Sequence, residues 1–148
     1  MERHKGFTLL ELIVATTILL LLTGMALPTL KFAYKREQER QLREALWSIR
    51  DAIDQYKSAS ERGAFQIKAG SDGYPPDLDT LVNGVDVNGK KLRFLRRIPI
   101  DPMTGKAEWG MHSEQDDTDS DSWGEQNVFD VFTKSQGTAL DGTKYKDW

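Results

Sequence analysis

The sequence contains no cysteine. That excludes disulfides, thiolate metal sites and a cysteine nucleophile, so any exported domain must hold together by core packing, with or without a bound metal. Histidine is scarce as well: there are two, His4 and His112. Serine, histidine and aspartate occur, but no nucleophile motif frames them, and there is no glycine-rich phosphate loop. Positive charge is not in excess, since the formal net charge is −3, and nothing global argues for nucleic acid. There is no internal repeat and no linker long enough to separate a further domain. A chain of 148 residues then fits one folded domain plus an attached segment.

What is present is concentrated at one end. Leu12 to Leu30 carries no charge, and counting from Phe7 extends the apolar run with Glu11 as its single interruption. About 20 apolar residues span a bilayer as a helix. Basic residues flank both ends (Arg3 and Lys5 before, Lys31, Lys35 and Arg36 after), so the charge rule leaves orientation open. A secretory signal places its small-residue cleavage site after the apolar core. Here the best such site, Gly6, comes before it. Cutting between Gly6 and Phe7 removes only the basic leader, retains the apolar helix and leaves Glu11 about one helical turn from the new terminus.

KGFTLLELIVATTILLLLTGMALP, with Lys5, Gly6, Phe7, Thr8, Leu9, Leu10 and Glu11 in unbroken register and Pro28 further on, resembles the N-terminal segment of type IV pilins and type II secretion pseudopilins. The resemblance implies cleavage after Gly6 by a prepilin peptidase and N-methylation of Phe7. It also implies an assembly role for Phe7, Glu11 and Pro28. A carboxylate in hydrocarbon costs several kcal/mol, whereas beside the cationic terminal amine of a neighbouring copy it is strongly attracted. Glu11 would therefore favour assembly and set register. The plainer alternative is a single-pass anchor with Glu11 at headgroup level, which leaves Gly6–Phe7 unexplained.

From Thr29 to Arg62 no strong breaker appears. Leu42, Leu46, Ile49, Ile53 and Tyr56, with Ala45 and Ala52 beside them, form one apolar stripe at helical spacing. Charged and amide side chains fill the positions between, often with opposite signs three or four apart. The stripe covers only about two heptads, short of what a coiled coil needs, so packing onto a domain is expected. Gly63 is the stop signal. One helix from Phe7 to Arg62 would be on the order of 80 Å long. Gly24 and Pro28 interrupt its ladder, and two readings stand side by side: a kink, or a stretch that melts in an assembled filament.

Beyond Gly63 short runs alternate with Gly, Pro, Asn and Asp. DGYPPDLDTLV reads as a turn and a brief helical piece with Leu78, Leu81 and Val82 inward. Asn88-Gly89 in VDVNGKKLRF is a hairpin signal, and NVFDVFT reads as a strand. YPPDLDTLV, RRIPIDPMTG, a Trp-Gly and NVFDVFTKSQGTALDGTKYKDW resemble the major pseudopilin subgroup of type II secretion systems. That subgroup binds calcium in the C-terminal loop, which implies Gln136, Asp141 and Asp147 as candidate ligands, with calcium as a structural ion rather than a required cofactor. Calcium takes six to eight oxygens. Gln136 stands where an aspartate is expected and two consecutive acids near the end are missing, so a hydrogen-bonded turn around Asp141-Gly142 competes. The acidic run EQDDTDSDSWGE fits no EF-hand register and is read as a solvated, mobile loop, with His112 as an exposed loop residue. LRFLRR is read as a solvated basic edge that discourages strand addition.

The resulting expectation is an α+β, pilin-like chain. A cleaved basic leader (1–6) precedes a membrane or filament-core helix half (7–30) and an amphipathic half (31–62). The latter packs on a small antiparallel sheet within a β-rich tail with a C-terminal loop (63–148). It is not an enzyme but a structural subunit. By resemblance it forms a periplasmic pseudopilus that acts as a piston in type II protein secretion. Its partners would be further copies of itself in a helical homopolymer, minor pseudopilins, the prepilin peptidase and an inner-membrane assembly platform. No nucleic acid is expected. It would start as a single-pass protein of the bacterial inner membrane with a periplasmic domain. It would end in a periplasmic or cell-surface filament. Loss of Glu2, Arg3 and Lys5 takes the net charge from −3 to −4, so acidic rims would repel until salt screens them or cations bridge them. The alternatives are a type IV pilin of a surface filament for adhesion, motility or DNA uptake, and a single-pass anchored enzyme or binding module.

Overall fold

In the computed structural model, residues 6–117, 120 and 122–148 are described, the side chains of 25–29 excepted. Positions 1–5 of the expected leader, the side chain of Pro28 and positions 118, 119 and 121 of the acidic run lie outside the described residues. The chain divides into two compact units, one up to Glu37 and one from Gln38 to Trp148.

A single α-helix, α1, spans Leu9–Glu61. Thr8 opens it: its hydroxyl accepts the Glu11 amide at 3.2 Å, serving one of the donors that a first turn leaves without a partner. The helix runs through Gly24 and Pro28; the melted stretch concerns an assembled filament, and the single chain keeps the helix there. In the first unit every described side chain from Phe7 to Thr23 is exposed, with Phe7 at 82% and Leu20 at 74%. The hydroxyls of Thr16, Thr17 and Thr23 donate to the carbonyls of Leu12, Ile13 and Leu19 at 2.7–2.8 Å. This back-bonding one turn earlier hides polar groups on an apolar surface. Among the described residues no helix is long and apolar enough to cross a membrane; the side chains outside the description fall within the expected span.

In the second unit the predicted stripe is the core. Leu42, Leu46, Ile49, Ile53, Ala52 and Tyr56 are buried, together with Leu78, Leu81, Leu95, Trp109, Val128, Val131, Ala139 and Tyr145 from the rest of the unit. Gly63, at φ +68°, ends the helix, and the Ala64 amide closes back on the Ala59 carbonyl at 3.1 Å. That is the left-handed stop glycine makes cheaply. The short helix α2, Leu78–Asn83, is capped by Asp77, whose carboxylate accepts the Thr80 amide. It buries Leu78 and Leu81, with Val82 half-buried, as its spacing indicates.

The expected single small sheet is instead two separate antiparallel ribbons. β1, Val85–Val87, pairs with β2, Lys90–Leu92, across Asn88 and Gly89. Both turn residues have positive φ, 53° and 79°, as a type I′ hairpin requires. β3, Trp109–His112, pairs with β4, Asp130–Thr133. The ladder does not run on from β2: just beyond Arg93 the amides of Phe94 and Leu95 both turn to the Leu81 carbonyl, and Pro99 and Pro102 have no amide to offer. At the centre of the second ribbon Gly110 faces Phe132. A Cβ there would sit 2.3 Å from the ring, so only glycine fits beneath it. The α+β class and the pilin-like packing of a long helix on small antiparallel sheets both stand.

Candidate functional site

Two places collect the residues that the sequence singles out. The first is the start of the chain. Gly6 and Phe7 precede α1 in non-helical backbone and are exposed. A Cβ on Gly6 would meet nothing within 4 Å, so packing places no demand on that position. Glu11 is exposed one turn into α1, on a surface made mostly of Leu, Ile and Val with a few Thr and Ala. The helix thus presents one carboxylate on a bare apolar rod, four residues from Phe7.

The second place is the C-terminal loop, which follows β4. Gln136, Asp141 and Asp147 are all exposed. Asp141 Oδ1 accepts the Thr143 amide at 2.9 Å and the Thr143 hydroxyl at 2.7 Å. The amide first, then the hydroxyl, hold the Asp141 carboxyl below the usual carboxylate range. Asp147 lies in a short 3-10 turn, Tyr145–Asp147. The Ala139 amide bonds the Thr143 carbonyl, and the Tyr145 amide bonds that of Gly137. Among the described residues no three acidic or histidine side chains gather where they could hold a metal ion. Asp141 is engaged in the hydrogen-bonded turn with Thr143.

Sequence reasoning missed the side chains that hold this loop to α1. Glu39, only 6% exposed, accepts the Leu140 amide at 2.8 Å and the Tyr145 hydroxyl at 3.0 Å through one oxygen. Burial, and then the Glu39 carboxylate, push the Tyr145 phenol up to about 12. Arg43 lies 4.1 Å from the centre of the Trp148 ring, a cation–π contact. Arg50 grips Asp130 through Nε at 2.6 Å and Nη2 at 3.2 Å, and donates to the main-chain oxygens of Val131 and Trp148. These partners are 80 to 106 residues from the helix position they bond. No local spacing could have shown them.

Two expectations about the acidic region are corrected. His112 is not an exposed loop residue. It ends β3, is half-buried, stacks on Phe132 at 4.6 Å and donates from Nε2 to the Ser120 carbonyl at 2.7 Å. The described part of the run is not a free loop. Asp116 Oδ2 accepts the amides of Ser113 and Gly124 at 2.7 and 3.0 Å, and these, Ser113 first, hold its carboxyl low. Asn127, fully buried, takes the Glu114 amide and donates to Gln115. The hydroxyls of Ser113 and Ser120 near His112 donate to the main-chain oxygens of Asn127 and Ser122, so neither is presented to the imidazole.

Residues 1–27 match the prokaryotic N-terminal methylation motif. The chain carries a type IV pilin signal. It is also 28% identical over 110 residues to the type II secretion system core protein G of Klebsiella pneumoniae, an alignment covering 69% of this chain and 71% of that protein. No solved structure matches. An N-terminal match restricted to the motif would be compatible with any protein so processed. The second alignment is too long to lie within that segment, so the likeness extends beyond it into the second unit.

Proposed function

We propose that this chain is the major subunit of a periplasmic pseudopilus and that its growth pushes exported proteins outward in type II secretion. The observation that carries this reading is the exposed carboxylate of Glu11, four residues after the Gly6–Phe7 bond, on an otherwise apolar helix surface. A lone charge in that setting is costly in lipid and well placed to meet a cation in a filament of low dielectric. Cutting at Gly6–Phe7 supplies that cation as the methylated amine of the next copy. The chain waits in the inner membrane with its second unit in the periplasm until an assembly platform draws it into the filament. Minor pseudopilins and the prepilin peptidase complete its set of partners.

The test is intact mass and N-terminal analysis of the protein from cells with an active peptidase, with Glu11→Ala alongside. The wild type is expected to start at a methylated Phe7. Glu11→Ala is expected to be cleaved normally but to assemble poorly, read as filament recovered by shearing. A wild-type chain starting at Met1 overturns the reading, as does full assembly of Glu11→Ala. Long surface filaments under native expression would favour a motility or adhesion pilin over a pseudopilus.

A further inference from the structure

Glu39, Arg43 and Arg50 stand at i, i+4 and i+11 on α1, which places all three within one narrow strip of the helix surface beside the buried stripe. Each reaches the same target. Glu39 takes the Leu140 amide and the Tyr145 hydroxyl, Arg43 covers the Trp148 ring, and Arg50 donates to the Trp148 main-chain oxygen. The loop closes on itself in turn. Trp148 Nε1 donates to the Thr143 hydroxyl at 2.7 Å, the rings of Tyr145 and Trp148 meet edge to face at 5.2 Å, and Thr138 bridges Lys144. A bound cation in such a loop would act by drawing several oxygens to one point. Here the oxygen of Asp141 that faces the turn is already engaged by Thr143, and the loop's amide and hydroxyl donors converge on an anion, Glu39, supplied by the helix.

We infer that the strip formed by Glu39, Arg43 and Arg50 is a clamp that orders the C-terminal loop with protein groups alone, so that loop order in this chain does not depend on calcium. The clamp is a property of the single chain and holds whether or not the filament reading does. A buried carboxylate accepting two donors is a strong local tie, because hydrogen bonds to a charged group exceed neutral ones. Removing it takes this acceptor from the Leu140 amide and the Tyr145 hydroxyl at once. Arg50 contributes at the other end of the loop and also fixes Asp130 in β4, so the loop and the last strand are tied to one helix face.

The experiment is amide hydrogen exchange on the full chain in detergent micelles, reading peptides that cover residues 134–148. It is run in excess chelator and in millimolar calcium. Wild-type exchange is expected to be equally slow in both, within about twofold. Glu39→Ala is expected to speed exchange at Leu140 by about ten- to a hundredfold, the range set by one charged hydrogen bond, equally in both buffers. Tyr145→Phe keeps the ring against Trp148 and is expected to speed the same peptide about two- to tenfold. It covers the case in which Glu39→Ala does not fold. Saturable slowing of the wild-type loop by calcium, tenfold or more, overturns the inference. So does a Tyr145→Phe or Glu39→Ala loop that exchanges like wild type.

Discussion

Replacing Arg50 by Met should weaken the second unit more than any other single change on the exposed side of α1. The guanidinium makes four hydrogen bonds, two to the Asp130 carboxylate and two to main-chain oxygens. Side-chain exposure of Arg50 and Asp130 is 33% and 38%, so solvent screens the ion pair and its share is about 1 kcal/mol, toward the upper end for a surface pair. The two carbonyls lose about 0.5–1.5 kcal/mol each. Methionine replaces the apolar stem, so packing is largely kept. The total, about 2–4 kcal/mol, lowers the melting temperature by on the order of 10 °C for a domain of this size. Thermal melts of the full chain followed by circular dichroism read it. In a double-mutant cycle with Asp130→Asn, the coupling should be about 1 kcal/mol. A loss for Arg50→Met below about 0.5 kcal/mol, the level of an ordinary surface substitution, would refute the claim that this side chain ties loop and strand to the helix.

Tyr145 should make the chain sensitive to alkali. Its phenol rises from 10.0 to about 12 on folding, so its contribution is fully present below pH 10 and is lost as pH climbs through 12. The shift is worth about 2–3 kcal/mol, and urea unfolding of wild type against Tyr145→Phe should show the excess loss in that window alone. Asp116 behaves oppositely: its carboxyl is lowered from 3.8, so the stability it confers is present above that value and fades as pH falls through the lower folded one. The amides of Ser113 and Gly124 should lose protection there, and Asp116→Ala should remove the acid dependence. Gly110→Ala should cost about 1–3 kcal/mol through overpacking against Phe132, and Phe132→Ala in the same chain should recover part of that loss in a denaturant titration.

The parts of this fold that were legible in the sequence are those with short-range causes. The stripe from Leu42 to Tyr56 is a repeat of three and four residues, and it is the buried core. Asn88-Gly89 requires positive φ at two adjacent residues, and both have it. Leu78, Leu81 and Val82 read as the inward side of a brief helical piece, and they are buried or half-buried. The Gly6, Phe7 and Glu11 register was readable because it lies in a few contiguous residues, within the 1–27 motif match. What could not be read depends on distant partners. Glu39 and Arg50 look like two more charges on a charged helix face until Tyr145 and Asp130 arrive from about a hundred residues away. Asp101 looks like a loop residue before a proline, yet it is fully buried, holding the Met103 amide and the Thr133 hydroxyl. The split into two ribbons follows from where Phe94 and Leu95 direct their amides, which strand propensity does not encode.

Three threonines of the apolar helix have a consequence for transfer between environments. Thr16, Thr17 and Thr23 commit their hydroxyl protons to the backbone of the preceding turn, so none must find a new acceptor when neighbours change. A segment built this way can trade one oily surrounding for another with its polar bonds intact. Among the described residues of that surface, the group that would register the exchange is the carboxylate of Glu11.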